Sequence, residues 1–126
     1  MSGEAILKLK VQLYCGDEIA MGPGKADLLE AIAREGSISA AGRAMGMSYR
    51  RAWLLVDAMN RCFTMPLVET HPGGGKLAGA RLTDEGEAAL AAYRTLSAQV
   101  EDGVSGTSYQ TLEAAIRPEP LLSQAP

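Results

Sequence analysis

The chain has 126 residues, 47% hydrophobic and 21% charged, enough to bury one ordinary core with a short appendage but not to build a second full-sized domain. That composition, with only six prolines, excludes a wholly disordered chain and confines any disorder to local segments. No apolar run reaches the length of a signal-peptide core or of the roughly 20 residues that cross a bilayer, so a cytoplasmic location without a membrane partner is expected.

Residues 5–15, AILKLKVQLYC, alternate from Leu7 through Leu9, Val11 and Leu13 against Lys8, Lys10 and Gln12, the pattern of a half-buried strand. Gly16-Asp17 reads as a turn, and EIAM as a short returning strand to Met21 before Gly22-Pro23-Gly24 breaks the regularity. From Lys25 to Glu35 a helix is predicted. Leu28, Leu29, Ile32 and Ala33 form its apolar stripe and Gly36 stops it.

Ser37 is placed to cap a second helix, in which Ala40, Ala41 and Ala44 are small enough to admit a neighbour at close range, ending near Met45-Gly46. After a very short gap Ser48 caps a third helix, YRRAWLLVDAMNRCF, with Ala52, Leu55, Val56 and Met59 as its buried stripe. Tyr49, Arg50 and Arg51 crowd its first turn. The helix dipole disfavours cations there by a few tenths of a kcal/mol to about 1, so two arginines in that turn suit solvent or an anion. Two short helices on a tight turn, with a small residue in the first and a glycine between them, describe a helix-turn-helix.

Pro66 ends that region, Leu67 to His71 resumes alternation as a strand, and Leu77 to Leu82 returns as its partner across the loose tip Pro72-Gly73-Gly74-Gly75-Lys76. Thr83 or Asp84 caps a last long helix, Asp84 and Glu87 having the spacing of a capping box. Ala89, Tyr93, Leu96 and Val100 recur along it as an apolar seam fit for another helix, within the fold or across a dimer. Gly103 and Gly106 end it. The remaining tail has space for one short helix around Leu112 to Ile116 before a loose proline- and serine-containing end.

The fold class that follows is α+β: a winged helix-turn-helix with an N-terminal strand or hairpin and a long C-terminal helix, over residues 1–102, with 103–126 as the tail. A formal net charge of −3 speaks weakly against a nucleic-acid partner, but the average is uneven. Between Ser37 and Leu82 stand six basic residues (Arg43, Arg50, Arg51, Arg61, Lys76, Arg81) against Asp57 and Glu69, a local balance of +4 that leaves −7 for the rest. Such a split suits one basic face toward a polyanion.

The candidate DNA contacts are Ser37, Ser48, Tyr49, Arg50 and Arg51 around the two helices, with Lys76 and Arg81 on the hairpin. The helix opened by Ser48 would enter a major groove, where an arginine fork on guanine is the commonest specific contact. Which arginine reads bases stays open. Trp53 is expected to close the helix against its neighbour or the hairpin rather than to stack on a base. Cys15 and Cys62, in different elements without CxxC spacing, read as reduced thiols. His71 has no metal partners at suitable spacing, and no nucleophile stands near a base in the sequence, so neither a metal, a cofactor nor an enzymatic activity is expected. The rival reading is a winged-helix module that binds protein instead of DNA; it explains the core and seam equally well, and the cations Arg50, Arg51 and Lys76 on helix and wing less well.

The run GKADLLEAIAREGSISAAGRAMGMSYRRAWLLVDAMNR, Gly24 to Arg61, resembles the N-terminal DNA-binding domain of the ModE family of molybdate-responsive transcriptional regulators. Ser48-Tyr49-Arg50-Arg51-Ala52-Trp53 resembles the start of that family's recognition helix, Gly73-Gly74-Gly75-Lys76 its wing, and Leu82-Thr83-Asp84-Glu85-Gly86 the junction beyond. The likeness covers roughly residues 5–100. It implies a homodimer on double-stranded DNA, with Leu7 and Leu9 of the N-terminal segment and Ala89, Tyr93, Leu96 and Val100 of the last long helix in the partner contact. Full-length members continue into small β-barrel modules that bind molybdate. The sequence ends at Pro126 without space for one, so molybdate binding is not expected in this chain and any effector sensing would fall to a separate protein.

Overall fold

The computed structural model describes residues 6–71, 79–104 and 106–126. Strand β1 (Leu13–Cys15) turns at Gly16-Asp17 into the antiparallel β2 (Glu18–Met21). Helices α1 (Pro23–Glu35), α2 (Ile38–Ala44) and α3 (Tyr49–Cys62) follow, then the hairpin of β3 (Val68–His71) and β4 (Gly79–Leu82), the long α4 (Asp84–Asp102) and the short α5 (Thr107–Ala115). This is the α+β winged helix-turn-helix expected from the sequence.

The N-terminal strand is much shorter than its alternation predicts. Residues 6–12 have no regular structure, because a strand needs a ladder partner for its N–H and C=O groups and β2 is long enough to serve only residues 13–15. The segment is held instead from the side: Tyr93 of α4 donates its hydroxyl to the Val11 carbonyl at 2.6 Å.

The core lies where α1, α2, α3 and the second hairpin meet. Leu28, Leu29 and Ile32 of α1, Val56 and Met59 of α3, and Met21 and Leu67 beside them are all fully buried. The α1 stripe differs from the prediction at its edge, since Ala26 and Ala31 are buried and Ala33 is exposed: α1 is enclosed on more than one side, so its buried arc is wider. Arg94 of α4 fastens the outer face of α1, donating to Glu30 at 2.8 Å and Asp27 at 2.7 Å.

Ser37 Oγ accepts from the Ala40 amide and Ser48 Oγ from the Arg51 amide, the two caps expected. Gly46 takes φ of +72° in the intervening turn, a region costly for any side chain. The closest approach of the two helices is not at the predicted alanines alone. Ala41 is fully buried, but Gly42 is the residue whose added Cβ would stand 3.2 Å from Ala52 Cβ, while Ala44 faces solvent.

Two side chains, Asn60 and Thr83, turn the chain from α3 into the hairpin and out again. Asn60 Oδ1 accepts from the Leu67 and Val68 amides at 2.8 and 3.2 Å, and its amide nitrogen donates to the Val68 carbonyl at 3.1 Å. The Thr83 hydroxyl donates to the Pro66 carbonyl and accepts from the Gly86 amide. Thr83 is thus the cap, and the predicted Asp84–Glu87 capping box does not form: the third helical residue is Gly86, which has no side chain to bond back. A Cβ on Gly86 would lie 2.1 Å from the Leu67 carbonyl oxygen, so only glycine lets α4 start against the hairpin. Helix α5 begins five residues before the predicted Leu112.

Candidate nucleic-acid interface

The exposed surface of α3 is built by its own periodicity. Ala52, Val56 and Met59 face the core, which turns Tyr49, Arg50, Trp53, Leu54 and Asp57 together onto the outside, along one groove. Arg51 points elsewhere. It lines a second depression with Gly22, Pro23, Gly24 and Lys25 at the start of α1, so adjacent arginines serve two different surfaces. Lys25 lies below its ordinary range because partial burial disfavours its charge, Arg51 adding repulsion against the opposing pull of Cys62 and Glu18. No acid occupies the first turn of α1 or of α3, leaving both helix ends electropositive.

Charge pairing separates the remaining basic residues. Arg61 is held by Glu18 at 2.7 and 2.8 Å and by Asp57 at 2.8 Å, which raises its pKa and takes it out of the basic face. Arg81 donates to Glu69 at 3.1 Å and contacts His71 Nε2 at 2.8 Å, so this predicted DNA contact stands inside a local ion cluster. Arg43 donates to Ser39 Oγ at 2.7 Å. Arg50 and Arg51 pair with no carboxylate among the described residues. Lys76 lies outside the described residues.

Ser48 is exposed at the head of α3, and Ser37 half-buried at the head of α2. Trp53, 37% exposed, donates its indole N–H to the Tyr49 hydroxyl and closes one wall of a cleft of about 270 Å³ shared with Ser37, Ser39, Thr70, His71 and Ala80. Its indole thus lies on the side of α3 that faces α2 and the hairpin across that cleft. Two residues escaped the sequence reading. Leu54, which the predicted buried stripe omits, is 53% exposed, and the signal that could have singled it out is the helical angle it shares with Arg50. Lys25 was assigned only to a helix start; GPGK, a helix N-terminus followed by a lysine, was its signal.

The residues proposed for a partner contact divide. Tyr93 is 4% exposed and occupied within its own chain, and Ala89 is half-buried beside it. Leu96 and Val100 remain 36% and 39% exposed, as do large parts of Leu7, Leu13 and Tyr14. Leu13, Met21, Phe63, Ala92 and Leu96 line an almost wholly apolar groove of about 300 Å³ between the N-terminal hairpin and α4. Among the described residues no cluster of His, Cys, Asp or Glu suits a metal ion, and no helix is long and apolar enough to cross a membrane.

Residues 25–87, half of the chain and the whole of the helix-turn-helix and hairpin just described, match the model of the bacterial regulatory helix-turn-helix proteins of the lysR family. The chain belongs to that family. Among curated relatives, this family member is 49% identical over 80 residues to the molybdenum-pterin-binding protein MopB of Rhodobacter capsulatus, covering 64% of this chain and 30% of that protein. It is 38% identical to the molybdenum transport protein ModE of Azotobacter vinelandii over 71% of its own length and 33% of the relative's. To the DNA-binding transcriptional dual regulator ModE of Escherichia coli K12 it is 36% identical over 77% and 36% of the two chains. The chain thus spans about a third of the curated relatives it matches. The DNA-binding domain of CbnR, solved in complex with DNA, superimposes with a TM-score of 0.52 at 19% identity, over 74% of this chain and 97% of that one. That likeness is one of fold.

Proposed function

We propose that this helix-turn-helix protein is a sequence-specific DNA-binding transcriptional regulator of the ModE type, acting as a homodimer. The observation that carries the reading is the division of Arg50 from Arg51 on a helix whose first turn has no balancing acid. Arg50, on the outer face, is the base reader; its fork fits guanine O6 and N7 in the major groove. Trp53 and Leu54 beside it offer apolar surface to thymine methyl groups. Arg51 and Lys25 flank the groove and hold backbone phosphate, which positions the protein without reading sequence. Ser48 and Tyr49 add hydroxyl contacts at the head of α3, Ser37 one at the head of α2, and Lys76 and Arg81 extend the contact through the wing.

The homodimer would bury the apolar groove of the N-terminal hairpin under the exposed half of the α4 seam, Leu96 and Val100, with Leu7 and Leu9 alongside. Two copies related by a two-fold axis then present two α3 helices to half-sites about one helical turn, or a multiple, apart. The similarity to ModE and MopB supports molybdenum-related genes as targets.

The test is selection of genomic duplex fragments by the full chain at about 0.1 M salt, followed by footprinting. A pseudo-palindromic site bound well above random duplex is expected. Retention of no sequence above background would refute specific regulation and leave the protein-interaction reading.

A further inference from the structure

Cys15 closes β1 and Cys62 closes α3, far apart in sequence, yet both meet Glu18. Cys15 stands directly opposite Glu18 across the first hairpin, and opposed residues of an antiparallel pair project to the same face with Cβ atoms about 4.5–5.5 Å apart. Cys62 Sγ approaches Glu18 Oε2 at 3.8 Å from the other side. Arg61 fixes that carboxylate through two bonds of 2.7 and 2.8 Å, so the point at which the sulfurs converge is held by the fold. Both thiols are free; Cys15 is exposed and Cys62 partly covered. Burial first, then the adjacent Cys15 side chain and the Glu18 charge, keeps the Cys62 thiol above its ordinary range against a smaller opposite effect of Arg61.

We propose that Cys15 and Cys62 form an oxidisable dithiol site, closed by a hydroperoxide into a reversible disulfide that ties the N-terminal hairpin to the end of α3. The thiolate is the attacking species, and Cys15, open to solvent, is the first to react. Its sulfur attacks one peroxide oxygen: the S–O bond forms, the O–O bond breaks, and the departing hydroxide leaves as water with the Cys15 proton. The Cys62 sulfur then attacks Cys15 sulfenic acid. The S–S bond forms, the S–O bond breaks, and the second hydroxide leaves as water with the Cys62 proton. Two thiols lose two electrons and hydrogen peroxide accepts them, giving two waters. Reduction by a dithiol restores the pair through a mixed disulfide. The site is independent of what α3 binds.

The experiment treats the folded full-length chain with stoichiometric hydrogen peroxide and maps unreduced peptides by mass spectrometry. A single peptide pair joined through Cys15 and Cys62 is expected, in a chain that still runs as one polypeptide and regains both thiols with dithiothreitol. Cys15→Ser and Cys62→Ser each abolish it, and oxidation raises the thermal midpoint of the unsubstituted chain but of neither variant. Because the fold brings the sulfurs together, the yield in strong urea is expected to be several-fold lower. The proposal is overturned by an unreacted pair, by a disulfide between two chains, by Cys15 sulfinic acid beside an intact Cys62 thiol, or by equal yields in urea and in native buffer.

Discussion

Arg50 and Arg51 illustrate how one residue of offset along a helix changes a role. A step of about 100° carries Arg50 to the outer groove and Arg51 to the start of α1. Arg50→Ala is therefore expected to cost about 1–3 kcal/mol on the preferred duplex and to relax discrimination at one base position. Arg51→Ala should weaken all duplexes nearly uniformly and lower the slope of log K against log salt by about 1. Titrations of preferred and scrambled duplexes at several salt concentrations separate the two, and identical effects would contradict the assignment. Glu18 is a second residue whose behaviour follows from its partner. The Arg61 guanidinium holds its carboxyl below the ordinary 4.5, so its contribution to stability is present above that value and is lost as pH falls through the lower folded one. Glu18→Gln should lower stability at neutral pH, with the gap to the unsubstituted chain closing as pH falls below the ordinary 4.5, as read by urea unfolding.

Among the elements, the joints determine more than the helices themselves. Asn60 satisfies two amides and a carbonyl where α3 gives way to β3, and removing its side chain leaves those part-buried groups without partners. Asn60→Ala is expected to destabilise the fold by about 1–3 kcal/mol, measured by chemical denaturation. Gly86→Ala sets two effects in opposition. Alanine favours a helix interior by about 1 kcal/mol over glycine, but the added Cβ meets the Leu67 carbonyl, backbone that cannot swing aside. The clash should win, with a net loss of up to about 3 kcal/mol on overpacking grounds and a lower thermal midpoint; a rise would show that α4 can shift. Neither joint was legible in the sequence. Asn60 sat unnoticed in a helical pattern, and Gly86 was read only as part of a junction motif, because the partners of both come from across the turn.

At the scale of the whole molecule, the α4 seam leaves an apolar surface outside the core. Leu96 and Val100 continue the seam beyond Tyr93 and stay 36% and 39% exposed, Leu96 at the rim of the apolar groove beside the N-terminal hairpin. Leu96→Asp should shift a dimer to monomer in sedimentation while the circular dichroism spectrum stays folded, because the side chain lies at the rim and not within the core. Duplex affinity should fall with it by at least about tenfold, since paired half-sites gain from effective concentration. A dimer unaffected by that change would move the interface elsewhere.

The sequence by itself determined the order and type of the elements, because apolar periodicity, the serine and threonine caps and the glycine stops are local properties of the chain. Ser37, Gly46 and Ser48 declared the helix-turn-helix without help from distant residues, and the start of α4 was legible to within the choice of Thr83 or Asp84. Only the tertiary structure decided what those elements meet. It shortened the N-terminal strand for lack of a ladder partner, set Arg51 beside the start of α1, enclosed Arg61 and Arg81 in ion clusters, and brought Cys15 beside Cys62. Each of those outcomes depends on a contact between residues remote in sequence, and a one-dimensional pattern records the period of a side chain but not the surface that will face it.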